Sequence, residues 1–319
     1  MSDIKWAVLG TGVIANEMAV ALKKIGRNIY AVGNRTYSKA VDFAKKYGIE
    51  KVYDDYNDMF TDSDVDVIYI TTPHNTHIEF MKKAIRNGKH ILVEKSITLN
   101  SRELNEAMEL AALHNVVIGE AMTIYHMPVY KKLKEILDSG RLGKVNIITM
   151  NFGSYKEYNM NNLAGGAMLD IGVYALSFIR YFMTEKPDKL LSQLKKAPTG
   201  VDEQAGLLLM NNDGQMATVM LSLHSKQPKR GMVSCEKGYI EIMEYPRAFE
   251  AVVTYTESGE KEWVKEGDTR DALIYELLDM EKAINGDKKC MLLDYTKDVM
   301  DMMTEFRNSW NFKYPEEEL

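Results

Sequence analysis

From Lys5 to Ala121 two hydrophobic periods alternate along the chain. Short continuous apolar runs stand at Lys5–Leu9, Asn28–Gly33, Val65–Ile70, His90–Val93 and Val116–Ile118. They read as strands buried on both faces. Between them, apolar residues recur three or four positions apart: Ile14, Met18, Leu22 and Ile25; then Val41, Ala44 and Tyr47; then Phe80, Met81 and Ala84. That spacing predicts helices. Ser38 is read as the cap of the second and Gly48 as its stop, Asn87-Gly88 ends a later one, and Asn100 with Glu103 forms a capping box. Strand and helix in strict alternation predict an α/β fold with a doubly wound parallel sheet.

The pattern changes after Glu120. Pro128 starts a helix through Leu133 and Leu137 that ends near Gly140. Long strand-like runs follow at Lys144–Phe152, Ala205–Met210 and Met216–Leu223, with Asn212-Asp213-Gly214 as a hairpin signal between the last two. More strands lie between Met232 and Thr256, with turns at Lys237-Gly238 and Ser258-Gly259. A helix over Met168–Met183 interrupts them, and helices over Ala272–Ile284 and Tyr295–Trp310 finish the chain. Strands grouped apart from helices predict an α+β domain with a largely antiparallel sheet. The expected division is 1–121 and 122–319, with a ligand cleft where the two meet.

Bulk composition narrows the function classes. The net charge is -6 over 319 residues and no basic stripe stands out, which argues against nucleic-acid and membrane-surface partners. The two cysteines, Cys235 and Cys290, form no CxxC pair, so neither a disulfide framework nor a zinc site is expected, which suits a reducing cytoplasm. Met1-Ser2-Asp3 runs straight into a strand, without the look of a signal peptide. No apolar stretch approaches the ~18–20 residues needed to span a bilayer. The plentiful methionines read as core filler.

The chemistry concentrates at strand ends. Gly10-Thr11-Gly12-Val13-Ile14-Ala15 follows the first strand and opens the first helix, the context a dinucleotide-binding turn requires. Gly10 allows the tight turn, Gly12 lets a pyrophosphate approach the backbone, and Ala15 lets helix and strand pack closely. Free N–H groups at the helix start then meet the phosphates. After the second strand an acid would bond the ribose 2′-hydroxyl of NAD. This chain has Asn34-Arg35 instead, and Arg35 would attract a 2′-phosphate, favouring NADP(H) over NAD(H). Stacking of Arg35 on adenine, or a solvent-facing Arg35, is the alternative.

Thr71-Thr72-Pro73-His74-Asn75-Thr76-His77 follows the fourth strand. Thr71, Thr72, Pro73, Asn75 and His77 are read as edging the nicotinamide pocket and capping the next helix. His74 and His77 lack a third partner for a metal, so no metal site is expected and a capping or surface role is the default. Glu94-Lys95-Ser96 follows the fifth strand. An ammonium there can hold a substrate oxygen and stabilise charge that develops during hydride transfer, though a plain surface lysine fits the dipeptide as well. In the second half, Ala164-Gly165-Gly166 precedes Met168-Leu169-Asp170-Ile171-Gly172-Val173-Tyr174. Asp170 and Tyr174 are four apart, hence on one helix face. Tyr174 can pass a proton and Asp170 can bind substrate hydroxyls. By spacing alone, a core tyrosine and a helix-start aspartate are the more frequent outcome.

Taken in order, the glycine turn, Thr71-Thr72-Pro73…His77, Glu94-Lys95, Glu120-Ala121-Met122 with Pro128, and the Gly165–Tyr174 block resemble the glucose–fructose oxidoreductase/inositol dehydrogenase/rhizopine-catabolism (Gfo/Idh/MocA) family. The tyrosine version of the last block is most similar to its dihydrodiol dehydrogenase and NADP-dependent xylose dehydrogenase branch. The resemblance implies a Rossmann domain followed by a substrate-binding domain with a large open sheet whose outer face often makes a dimer. It implies hydride transfer between a nicotinamide and a carbinol or carbonyl carbon of a sugar, polyol or diol. Lys95, Tyr174 and Asp170 match the catalytic and substrate-site positions; Gly10, Gly12 and Ala15 match the dinucleotide loop. A catalytically silent sensor with the same fold is the second reading. Two departures stand out. Ser96 replaces the family's proline, and a serine there predicts a trans Lys95–Ser96 bond, since the cis form costs ~2.5–4 kcal/mol. Thr123-Ile124-Tyr125-His126-Met127 replaces the branch's arginine and aromatics and is expected to line the substrate site.

Overall fold

The computed structural model describes residues 4–155 and 165–314. Met1–Asp3 and Ala164, both used above, lie outside the described residues. In chain order, the first elements are β1 (Trp6–Leu9), α1 (Val13–Lys24), β2 (Ile29–Gly33), α2 (Tyr37–Tyr47), β3 (Lys51–Tyr53) and α3 (Tyr56–Thr61). Next come β4 (Val67–Ile70), α4 (His74–Arg86), β5 (His90–Glu94), α5 (Ser101–His114) and β6 (Ile118–Ala121). They are followed by α6 (Thr123–His126), α7 (Pro128–Asp138), β7 (Val145–Gly153) and α8 (Val173–Phe182). The remaining strands are β8 (Lys189–Lys196), β9 (Asp202–Met210), β10 (Met216–Ser222), β11 (Gln227–Cys235), β12 (Gly238–Met243), β13 (Glu250–Tyr255) and β14 (Lys261–Lys265). Helices α9 (Ala272–Ile284) and α10 (Leu293–Ser309) complete the order.

The chain forms two compact units, Met1–Ala121 with Leu273–Leu293, and Met122–Ala272 with Asp294–Leu319. The sequence reading assigned all of 122–319 to one domain. The segment Leu273–Leu293 departs from it because Leu273, Ile274, Leu277, Met280, Ala283 and Met291 share a core with Trp6, Val8 and Leu22. Trp6 Nε1 donates to Glu281 Oε1 at 3.3 Å, and Arg27 pairs with the same carboxylate at 2.8 Å, which fixes α9 against β1. Gly119 leaves room for the same segment, since a Cβ there would lie 2.3 Å from Met291 Cε.

The first unit is a six-stranded sheet in the order β3-β2-β1-β4-β5-β6, parallel throughout. The strand order reverses between β1 and β4, and in such sheets ligands bind outside the carboxyl ends of the strands at that point. Every residue of β1 and β4 is buried, which explains their unbroken apolar runs. Helix α2 begins at Tyr37 with Thr36 at the cap position, so Ser38 lies inside the helix rather than capping it. Gly48 ends that helix in the left-handed region, φ 70°. The Asn100 side chain accepts the Glu103 amide at 3.0 Å, while Glu103 reaches back to the Leu99 amide.

The second unit is built on an eight-stranded sheet, β14-β13-β12-β11-β7-β10-β9-β8. Its neighbours are antiparallel except β7 and β10. One face is buried: Ile148, Met150, Val219, Leu221, Val233 and Val253 pack inward, and Gly231 admits the ring of Phe178 from α8. By register the opposite face carries Ile147, Met216, Met220, Leu191, Met243 and Trp263, all of them exposed. The predicted continuous helix over Met168–Met183 is a π turn, Met168–Gly172, running into α8. Its apolar residues are buried on every side, so the hydrophobic pattern carries no sign of the wider winding.

Candidate active site

In the first unit, the loop after β1 is shaped by Gly10, at φ +112°. Its amide donates to the Gly33 carbonyl at 2.8 Å, and a Cβ there would lie 2.4 Å from Thr71 Oγ1. Gly12 faces open space, with nothing within 4 Å of where its Cβ would be. It occupies the cap position of α1, which has no side-chain cap and no acid in its first turn. The first amides of α1 therefore keep their capacity for an anion. Val13 and Ile14 open the helix, Val13 largely exposed and Ile14 packed against the core.

Side chains lock this loop that the sequence reading did not single out. Asn16 Nδ2 donates to the Gly12 carbonyl at 2.8 Å, while its Oδ1 accepts from Lys46 at 2.8 Å and from the Tyr47 hydroxyl at 2.7 Å. Asn34 Nδ2 donates to Thr11 Oγ1 at 2.8 Å. Arg35 is exposed, and its side chain makes no hydrogen bond or ion pair among the described residues. Such an arginine has no bond to break before it meets a phosphate, and ordering it costs about 1.5–2 kcal/mol of side-chain entropy.

The turns after β4 and β5 are joined through their main chains. Thr71 Oγ1 donates to the Leu9 carbonyl at 3.0 Å, and Thr76 Oγ1 donates to Thr72 Oγ1 at 2.7 Å. His74 Nε2 donates to the Lys95 carbonyl at 2.9 Å. His77 is fully buried rather than on the surface. Its ring nitrogens lie 2.8 Å from the Thr72 carbonyl and 3.1 Å from the Ser96 carbonyl. Burial and the neighbouring His74 pull His77 down to about 4, outweighing the backbone groups of Thr72, Ser96 and Ile97 that favour its charged form. A neutral ring donates to only one of the two carbonyls. Pro73 sits at the cap position of α4. Asn75 Oδ1 is buried without a hydrogen-bond partner among the described residues, an acceptor that suits an amide donor on a ligand.

Glu94 accepts a short hydrogen bond from the Tyr69 hydroxyl. The Lys95–Ser96 peptide is cis, which corrects the expectation of a trans bond drawn from Ser96. Three side chains grip the backbone around it: His74 at Lys95, His77 at Ser96, and buried Glu120, whose Oε1 accepts the Ile97 amide at 3.0 Å. The lysine is thus presented from a turn whose carbonyls and amide are held on both sides. Among the described residues no cluster of three or more metal-ligating side chains occurs.

In the second unit, Asp170 lies in the π turn and Tyr174 begins the helix after it; both are half-buried. The Asp170 amide donates to the Gly166 carbonyl at 2.9 Å. The Tyr174 ring packs 6.3 Å from Phe152, which in turn meets Tyr245 edge-on at 5.9 Å. Residues Thr123–Met127 are buried. Thr123 and Tyr130 donate short hydrogen bonds to the carbonyls of Pro246 and Tyr245. The Tyr125 ring stacks on Tyr181 at 6.4 Å.

Residues 4–122 match the family described as an oxidoreductase family with an NAD-binding Rossmann fold, and residues 130–241 match the GFO/IDH/MocA C-terminal domain. The chain belongs to the GFO/IDH/MocA oxidoreductase family. It is 31% identical over 246 residues to a trans-1,2-dihydrobenzene-1,2-diol dehydrogenase of Xenopus tropicalis, covering 75% of this chain and 74% of that one. The enzyme of the same name from Mus musculus is 30% identical over 258 residues, 78% of each chain. Among solved structures, a 3-ketoreductase from Actinomadura kijaniata in complex with NADP and TDP-benzene superposes with TM-score 0.84 at 20% identity, covering 96% of this chain and 97% of that one. An aldose-aldose oxidoreductase from Caulobacter crescentus gives TM-score 0.83 at 19% identity, covering 97% and 98%. These structural likenesses concern the fold. Membership places an NAD-binding Rossmann fold in the first unit and supports oxidoreduction as the activity of the chain.

Proposed function

We propose that this chain is an NADP(H)-preferring dehydrogenase or reductase acting on CH–OH groups of a sugar, polyol or vicinal diol. The observation that carries the reading is the strand-end turn of Lys95, braced by His74, His77 and Glu120, in the same unit as a glycine loop open at Gly12. Family relatives named for diol and sugar oxidoreduction support the substrate class. The exposed, unpartnered Arg35 supports the 2′-phosphate, because a guanidinium fork binds phosphate strongly where a carboxylate would repel it. Gly10, Thr11, Gly12, Val13 and Ile14 would hold the pyrophosphate, Asn34 and Arg35 the adenosine ribose, and Thr71, Thr72, Pro73, Asn75, Glu94 and Lys95 the nicotinamide end. His77, being buried, would act by packing its ring between the Thr72 and Ser96 carbonyls and donating to one of them.

When bound, the nicotinamide supplies or accepts the hydride. Tyr174 then exchanges the proton with the substrate oxygen. An ordinary phenol ionises near 10, so proton transfer by Tyr174 near neutrality would call for a positive charge beside it. Lys95 stabilises negative charge on the substrate oxygen. Asp170 accepts from substrate hydroxyls and orients the reacting carbon. General acid–base help of this kind is worth about 10²–10⁴ in rate.

The outer face of the eight-stranded sheet, with Leu191, Met220 and Trp263 exposed at 67%, 56% and 61%, supports a homodimer formed through that face. Among the described residues no helix is long and apolar enough to cross a membrane. Cys235 and Cys290 form no disulfide with each other, as a reducing cytoplasm would have it.

The test is a screen at 340 nm with NADPH/NADP⁺ and NADH/NAD⁺ against pentoses, hexoses, inositols, vicinal diols and the corresponding carbonyls. Turnover with at least one carbinol, faster with the phosphorylated cofactor, is the expected result. Cofactor binding without turnover across the panel overturns the enzyme reading in favour of a silent sensor.

A further inference from the structure

Asp202 opens β9 and is fully buried. Its Oδ2 accepts the Met168 amide at 2.5 Å. Its Oδ1 has no hydrogen-bond partner among the described residues. That oxygen fills the place a side chain at 166 would take: a Cβ on Gly166 would lie 1.9 Å from it. The Gly166 carbonyl in turn accepts the Asp170 amide at 2.9 Å. One carboxylate therefore touches the segment that launches the π turn at both ends, at Gly166 through shape and at Met168 through a hydrogen bond.

A buried carboxylate with one oxygen unsatisfied is expensive, and a neutral acceptor would cap the Met168 amide as well. Burial pushes Asp202 up to about 6, and Asp170 pushes the same way, against the Met168 amide and Arg307 of α10. Asp170 and Arg307 are the charged side chains that act on it. The arrangement makes sense if the location of the turn, rather than stability, is what the carboxylate serves.

We propose that Asp202 is a positioning residue for the reaction: through the Met168 amide and the glycine at 166 it sets where Asp170 and Tyr174 project. The inference rests on the dehydrogenase reading above for its consequence and on geometry alone for the clamp. Gly166 should not tolerate a larger side chain, nor Asp202 the loss of its shape and acceptor, because each occupies space defined by the other.

The experiment uses the full chain and the variants Asp202→Ala, Asp202→Asn and Gly166→Ala. The first readout needs neither substrate nor cofactor: amide exchange at Met168 and Asp170. Asp202→Ala and Gly166→Ala should raise it about tenfold or more, confined to this turn, while Asp202→Asn, which keeps shape and an acceptor, stays near wild type. The second readout is kinetic. Asp202→Ala and Gly166→Ala should lose about ten- to a hundredfold in kcat while binding NADPH as the wild type does, and Asp202→Asn should keep most of it. Unchanged exchange in Gly166→Ala, or in a folded Asp202→Ala, overturns the clamp. Altered exchange with unchanged kcat overturns the positioning role. A wild type that turns over nothing sinks the dehydrogenase reading instead, and the exchange arm then decides the clamp alone.

Discussion

Gly10 and Thr71 interlock. Thr71 Oγ1 stands 2.4 Å from the place a Cβ on Gly10 would occupy, and its amide and hydroxyl both donate to the Leu9 carbonyl just before the glycine. The loop after β1 and the end of β4 are thus one piece at the point where the strand order reverses. Gly12, two residues on, has empty space on its Cβ side. The two glycines should fail differently. Gly10→Ala meets both a collision and about 1–3 kcal/mol of backbone strain at φ +112°, so it should lower thermal stability and abolish NADPH binding. Gly12→Ala should melt like the wild type yet lose NADPH binding in a fluorescence titration. Equal melting losses in both would contradict this division.

Arg35 is exposed and makes no hydrogen bond or ion pair among the described residues, so Arg35→Ala should leave stability within about 0.5 kcal/mol. It should weaken NADP⁺ binding about ten- to a hundredfold, the worth of a charge-assisted pair, and leave NAD⁺ nearly unaffected. Because the residue is exposed, the gap should narrow as salt rises. Calorimetric titrations with both cofactors at low and high salt check it; equal losses for both would remove Arg35 from the phosphate site.

These residues differ in how visible they are in the sequence. The parallel strands are legible because strands buried on both faces leave unbroken apolar runs, and the glycine turn is legible because it abuts one of them. Short β3 and α3 give too few residues for a period to show. Edge strand β8, Lys-Leu-Leu-Ser-Gln-Leu-Lys-Lys, has no fully buried residue, so it lacks the apolar density of its neighbours. Within the site, residue types at strand ends point to Lys95 and Arg35. The supports do not show, because each is a contact between distant residues: His77 with Ser96, Asn16 with Tyr47, Asp202 with Gly166. Spacing encodes neighbours on one element and is silent about side chains that meet across the fold.

His77 makes a prediction about pH. Its folded value of about 4 against an ordinary 6.5 means the unfolded chain takes up a proton that the folded chain refuses across that window. The stability it contributes is complete above pH 6.5 and drains as pH falls toward 4, in total about 3 kcal/mol. Asp202 works the other way: raised from 3.8 to about 6, it makes the folded chain the better proton acceptor between those values, so stability is gained as pH falls. Comparing each variant with wild type separates them. The deficit of His77→Gln in urea melts should shrink by about 2–3 kcal/mol from pH 7.5 to pH 4.5. A deficit independent of pH would mean the ring titrates normally.

The apolar outer face of the eight-stranded sheet predicts self-association. Sedimentation should give a dimer for the wild type, and Met220→Glu, which sets a charge in the middle of that face, should give monomers with unchanged NADPH affinity. A monomeric wild type at micromolar concentration would contradict the assignment.

The central claim is that Lys95 and Tyr174 serve one hydride transfer, and a double-mutant cycle read at 340 nm tests it most directly. Lys95→Ala and Tyr174→Phe should each lower kcat by about 10²–10⁴, and the double variant should be little worse than the poorer single, because residues that act as a unit are not additive. Wild-type turnover in either single variant, or losses that simply multiply in the double, would contradict it.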